Sequence, residues 1–574
     1  MAEKEKTAGT ADDALYRTIE VEFKQAMSAM KSFHADWKEF DQYYLAEQWS
    51  PQRASWRPDP VVNYVSYTVD QKKPQLTNNR PTGIILPVAA GDEEAANLFT
   101  SVTDVIADRC DLDSVIDEVV QTGLLLDVAW FYVYWDNSLS GGSAKRKNLW
   151  KGDVVVEAVD PANLYFDPQA TCVEEARYMI YAVPKTVQWV REKFGVTVEP
   201  DSVQSFETEI YDRTGPTESD GRVMLYARWT RKDGKLNVVY AAGQKILKKI
   251  DNVYAHGQYP FIPFVSKKRR KSIVGIGEPR NIMSNQKLLN KLIEMPTTSA
   301  LLTANPIAII NRKSGISKNQ WVSKPGMVWE SVDDPSKAVH WLQPPNFQGD
   351  VFKLTDMLTT YIEKIGGVYD AMTGETPKGV TAASAIQLLQ EQGSIPIKGI
   401  ARNLYAALRD VYKQMIELVK EFYTETRYIR ITGEEGGTEF VQFQAAQYAD
   451  VDFDVKVSAG PATPMSRAYI TQLADDLFNK QLLTGSEYVE MMDGLPNKDR
   501  IVARLREMES APPPQEVPTD PATAQPGVPA MPSLDQIYAQ VDPQLQQEID
   551  LLREQGMPDE QILQTLMQLV NNGR

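Results

Sequence analysis

Apolar residues recur at helical spacing over several long stretches of this chain. From about Ala14 to Tyr44 they fall at Ile19, Phe23, Met27, Met30, Phe33, Trp37, Phe40 and Tyr44, steps of three and four that predict one apolar helix face. Residues 60–81, PVVNYVSYTVDQKKPQLTNNRP, predict a second helix, broken at Pro74 because proline removes a donor and clashes with the preceding turn. Two helical segments follow within 91–127. Further on, Leu288/Leu292 and Leu289/Ile293 pair at i,i+4 and predict a helix over 278–300. Val351, Leu354, Leu358, Tyr361 and Ile365 then step by three and four alternately, the spacing of a coiled-coil seam. At 1.5 Å per residue, the spans 278–300 and 347–365 are rods of roughly 30 Å. After a Gly/Thr-rich loop, Leu404, Leu408, Val411, Met415, Leu418 and Phe422 mark one more long helix. Gly393, Pro396 and Gly399 lie inside it, so a kink or break is expected there.

Alternation marks the strands. VAWFYVYWD and VVVEAVD form one pair; RVMLYARWT, KLNVVYAAG and QKILKKI read as a meander. RYIRITG and TEFVQFQ make a hairpin around GEEGG, and DVDFDVKVSAGP adds another strand. Between the two rods, AIINRKSG, QWVSKPGMVWESV and AVHWLQPP are short strands joined by Pro/Gly turns. The fold class is therefore mixed α+β, mostly helical. Residues 511–532, rich in proline, read as a linker. The last forty residues carry two short amphipathic helices, a hairpin suited to packing on a partner.

The order rod, cap, rod, glycine loop, kinked helix over 275–425 resembles the portal proteins of tailed bacteriophages, closest to those of short-tailed phages. The run WKEFDQYYLAEQW, the later N-x-V and closing N-R-P, and VDPANLYFDPQAT carry the same resemblance elsewhere. It implies a portal fold with an N-terminal wing (1–274), a first stem helix (275–300), a small α/β clip (301–346) and a second stem helix (347–365). A channel loop (366–381), a long kinked wing helix (382–424), a wing β segment (425–464), a helical crown (465–510), the linker and the C-terminal hairpin (533–574) complete it. The resemblance further implies a ring, a homododecamer, at one capsid vertex. Double-stranded DNA would be packaged and ejected through it. Its expected partners are a terminase motor, major capsid and scaffolding proteins, and tail adaptor and internal ejection proteins. Its place would be the virion, with host cytoplasm as the site of assembly. The alternatives are another ring-shaped head–tail connector or a multidomain DNA-processing enzyme.

Composition sharpens this reading. The 574 residues are 43% hydrophobic, enough for several cores. A net charge of −16 and a pI near 5.0 argue against a surface built to grip DNA and suit passage better. Two cysteines without a CxxC suggest a reducing compartment with neither disulfide framework nor zinc site. The polar N-terminus and the lack of an apolar run near ~20 residues predict a soluble intracellular protein without a membrane partner.

Motifs for catalysis fail one by one, and neither an enzyme nor a cofactor is expected. GETPKGVT has glycines at phosphate-loop spacing, but Val380 stands where the lysine belongs. GIGEPRN lacks the third glycine of a dinucleotide fingerprint. His34 and His340 lie beside Trp37 and Trp341, which predicts packed aromatic positions. Asp127, Asp136, Asp153, Asp160 and Asp167 read as turn and strand-end residues in preference to a metal site. The basic run Lys267 to Lys271 is either a solvated or subunit-facing patch or a DNA contact. Lys287, Lys291, Lys353 and Lys364 are candidates either for DNA-facing charges or for ion pairs with Glu294, Asp356 and Glu363. In the family the loop projects into the channel, which points to Tyr369, Met372 and Lys378 as nearest the DNA. The seam Val351, Leu354, Leu358, Tyr361 and Ile365 is the expected oligomer contact.

Overall fold

The computed structural model describes residues 2–78, 81–89, 91–143, 148–200, 221–304, 307–316, 328, 330–332, 334–342, 350–368, 383–432, 438–448, 451–459, 474–475, 477–480, 483–491 and 498–510. The first helix, α1 (Ala2–Tyr44), lays Ile19, Phe23, Ala26, Met30, Trp37 and Phe40 against the body. Met27, expected on that face, is 37% exposed, and Ala26 takes the inward place. Helix α2 (Tyr64–Thr77) is capped by Asn63, whose side chain accepts from the Ser66 N–H at 3.1 Å. It runs through Pro74 without the expected break. Pro74 lies in the last turn, so its missing N–H costs the helix one late bond rather than its continuation.

Strand β1 (Pro81–Pro87) pairs antiparallel with the far β14 (Phe453–Ala459), Pro81 opposite Ala459. Helices α3 (Glu93–Arg109) and α4 (Leu112–Leu125) are joined at Asp111, which takes a left-handed φ of +50°. Strands β2 (Ala129–Ser143) and β3 (Asn148–Val159) form a long hairpin, extended by β9 (Phe261–Phe264) to the order β3-β2-β9. Strands β4 (Leu164–Phe166), β5 (Tyr178–Thr186), β6 (Arg222–Lys232), β7 (Lys235–Ala242) and β8 (Lys245–Ile250) form an antiparallel sheet in chain order. This includes the expected meander. The short helix α5 (Val187–Phe194) packs on it through Val190.

The first rod is α6 (Glu278–Ala304). Strands β10 (Ile307–Ile310) and β11 (Val339–Leu342) pair beyond it, with the turn helix α7 (Pro335–Ala338) between. The second rod is α8 (Asp350–Gly366), which returns along the first. At 1.5 Å per residue, the rods are about 40 and 26 Å long. Helix α9 (Ala383–Phe422) follows, unbroken through Gly393, Pro396 and Gly399, where a kink or break was expected. Beyond Pro396 it buries Ile400, Leu404, Leu408, Val411, Met415 and Leu418 in the largest core. That buried face supplies what the weak local propensity lacks. The hairpin β12 (Arg427–Thr432) and β13 (Thr438–Phe443) is formed as expected, and α10 (Gly485–Met491) and α11 (Lys498–Ser510) close the described chain. The fold is mixed α/β, as the pattern predicted.

Candidate functional site: the socket of the rod pair

The first rod begins in a buried knot of opposite charges. Its lead-in is Gly275-Ile276-Gly277-Glu278-Pro279-Arg280, and the glycines let backbone approach backbone. A Cβ on Gly275 would stand 2.5 Å from the Lys267 carbonyl oxygen; one on Gly277 would stand 3.0 Å from the Asp127 nitrogen and the Leu125 carbonyl. Both glycines grip Asp127. Gly275 N–H donates to its carbonyl at 3.1 Å, and Gly277 N–H to its Oδ1 at 2.8 Å.

Asp127 is fully buried, with φ of +40°. Its carboxylate also accepts from Trp37 Nε1 at 3.1 Å and from Arg280 Nε and Nη2 at 3.0 and 2.6 Å. Arg280 reaches Asp36 as well, at 2.8 Å. The hydrogen bonds to Asp127, more than anything else, push the guanidinium pKa above its ordinary value. Glu278, also fully buried, holds Lys72 at 3.0 Å and Lys267 at 3.1 Å. Burial lowers the Lys72 pKa, against the pull of Glu278. Charges this deep persist only when paired, and here each has a partner from another part of the chain. Pro279 then sits in the first turn, where its fixed φ suits a helix start.

About two to four turns higher, polar side chains lock the N-terminal segment onto the rod. Asn290 Nδ2 donates to Gln48 Oε1 at 2.6 Å, and Gln48 Nε2 donates to the Tyr43 carbonyl and to Asn63 Oδ1. Gln286 donates to the Val62 carbonyl at 2.7 Å and accepts from the Tyr64 N–H at 3.1 Å. Arg53 and Arg57 both clamp Glu294, the latter at 2.9 Å, while Arg53 stacks 3.9 Å over Trp49. The second rod returns to the same place: Tyr64 donates its hydroxyl to Glu363 at 3.5 Å, and Gly366 abuts Thr68.

The predicted residues are distributed unevenly around this socket. Lys287 pairs with Glu39 at 2.5 Å and lies over the Tyr43 ring, so it is engaged with α1 rather than with any of the three acids expected. Lys353 faces Asp350 at 3.7 Å, both highly exposed. Lys291 and Lys364 are exposed and have no ion-pair partner among the described residues. The predicted seam divides. Leu358 is 5% exposed and turns into its own chain beside Ile362, while Leu354, Tyr361 and Ile365 are 37, 47 and 45% exposed. Val351 is half-buried. Tyr369, Met372 and Lys378 lie outside the described residues, as do the linker and the C-terminal hairpin.

Three of the five aspartates are the turn residues expected: Asp136 caps Ser138, Asp160 caps Ala162, and Asp167 binds Gln169 N–H and the Arg177 guanidinium. The other two are not. Besides Asp127, Asp153 is buried under Arg109, Arg427 and the Tyr423 hydroxyl, tying α3, β3 and the end of α9 together. Among the described residues no cluster of histidine, cysteine or acid groups suits a metal ion. His34 is the packed residue predicted, 5.1 Å from Trp37, and burial lowers its pKa to about 4. His340 corrects its prediction. It is exposed on the two-stranded β10–β11 sheet, too small to bury it, and its neighbour Trp341 is 46% exposed.

Sequence reasoning dismissed GIGEPRN as an incomplete nucleotide fingerprint and missed the socket. The usable signal was the glycine pair directly before Glu-Pro-Arg, where a close backbone approach meets a helix start with two charges. A body that holds a rod pair in a charge-sealed socket is the architecture of a structural subunit. The chain matches the phage P22-like portal protein family over residues 21–559, nearly its whole length, and belongs to that family. It is a phage portal protein, a structural head–tail connector with a part in genome packaging. No curated protein in the comparison matches it. Among the described residues no helix is long and apolar enough to cross a membrane.

Proposed function

We propose that the chain assembles as a homododecameric ring at one capsid vertex, its rods forming the stem of a channel through which double-stranded DNA is packaged and later ejected. The observation that carries this reading is the rod pair itself, fixed to the body by the Asp127–Arg280 and Lys72–Glu278 pairs and exposing apolar side chains along its length. In this reading the body is the wing, β10 and β11 belong to the clip, and α10 and α11 to the crown. Lys353 and Lys364, with Tyr369, Met372 and Lys378 of the loop, face the DNA; Lys287 is held back by Glu39. A net charge of −16 per subunit supports passage over retention, because each fixed phosphate contact would act as friction. The terminase motor, the major capsid and scaffolding proteins, and the tail adaptor and internal ejection proteins dock on its outer surfaces. Assembly takes place in the host cytoplasm.

The test is a negative-stain image of the purified protein with size measured by light scattering. Rings with a central hole are expected. A protein that stays monomeric at assembly concentrations, with scaffolding protein present, refutes the reading.

A further inference from the structure

We infer that in this ring the first rod of each subunit seats an exposed stripe against the second rod of the next, with Lys291 paired across the contact to Asp356 of the neighbouring copy. The inference rests on the portal reading above and specifies which faces meet. Leu288 and Met295 are 43 and 51% exposed and lie one heptad apart, with Lys291 between them on the same face. On α8, Leu354, Met357 and Tyr361 are 37, 44 and 47% exposed at the same kind of spacing. Each rod already buries an adjoining side in its own chain, through Leu289 on one and Leu358 and Ile362 on the other. A helix apolar on two sides is built to be sandwiched.

The levels of the two stripes agree. Tyr64 joins Gln286 of the first rod to Glu363 of the second, so these positions stand near one height. The rods run in opposite directions with an equal rise per residue. Leu288 therefore stands level with Tyr361, and Met295 with Leu354. Rotation about an axis along the rods preserves height, so the same residues meet between copies. Because the stripes lie on different rods, the contact is heterologous, the kind that closes rings and not two-fold dimers.

Charge fits as well. Neither Lys291 nor Asp356 has an ion-pair partner among the described residues, both are exposed, and the counted levels differ by two residues. The lysine stem lies along the apolar stripe while its ammonium reaches the acid.

The test co-assembles subunits carrying Met295→Cys with subunits carrying Leu354→Cys, then oxidises the rings with copper phenanthroline. Disulfide-linked dimers are expected from the mixture on a non-reducing gel, and none above the Cys110/Cys172 background from either variant alone. Lys291→Asp should lower ring yield about tenfold, and adding Asp356→Lys should restore it. Full rings without linked dimers, or full rings from Lys291→Asp that release packaged DNA early, overturn the seam and leave the portal reading standing. Failure of the unsubstituted chain to form rings defeats the portal reading instead.

Discussion

Replacing Asp127 with alanine should loosen the first rod from the body by about 4 kcal/mol. Asp127→Ala leaves Arg280 with only Asp36, and breaking a buried pair from one side costs about 3–5 kcal/mol. The Trp37 Nε1–H and Gly277 N–H also lose their acceptor, at about 1–3 kcal/mol for a buried group, a cost that overlaps with the first. The left-handed backbone at φ +40° adds strain for alanine. Asp127→Asn keeps an acceptor oxygen and tolerates that backbone, so about half the loss is expected, ~2 kcal/mol. Urea unfolding followed by tryptophan fluorescence is the assay, because Trp37 itself donates to the carboxylate. The control is Asp160→Ala, which removes the cap on Ala162 and should cost about 1 kcal/mol. The socket argument is wrong if Asp127→Ala costs no more than that control.

Three further outcomes follow from the same structure. The folded pKa of His34 lies near 4, below the unfolded 6.5, so its stabilising effect is complete above the unfolded value and lost as pH falls toward 4. The loss is about 2 kcal/mol by pH 5; His34→Phe should flatten the stability profile between pH 7 and 5, and a profile unchanged from the parent counts against it. Gly83→Ala sets a methyl 2.6 Å from the buried Tyr412 ring, so thermal unfolding should report a loss of about 1–3 kcal/mol, and an unaltered melting temperature contradicts the close packing. Leu354→Asp should keep protomer circular dichroism and abolish rings by light scattering, whereas Leu358→Asp, buried in its own chain, should damage the protomer first; intact rings from Leu354→Asp refute the assignment.

Local patterns in the chain were enough to place most of its described helices and the strands of the hairpins and meander, though not β1 or β9. The three-and-four spacing after Ala14 and beyond Pro396 reappears as buried helix faces, since one apolar stripe per helix needs only one surface to cover it, whereas in the rods only part of the stripe is covered. The order rod, cap, rod, loop, helix carried the family. Proline misled at Pro74, where the helix was about to end; at Pro396 the helix does not break, and the buried face from Ile397 to Leu418 outweighs a local cost of about 3 kcal/mol. What the tertiary structure alone decided is pairing over distance. Asp127 meets Trp37 and Arg280, and Lys72 meets Glu278, across separations of 90 to more than 200 residues. The seam likewise splits, Leu358 inward and Leu354 outward, although both fit one heptad. Periodicity says which residues share a face, but burial of a charge or a leucine depends on what the rest of the chain brings to that face.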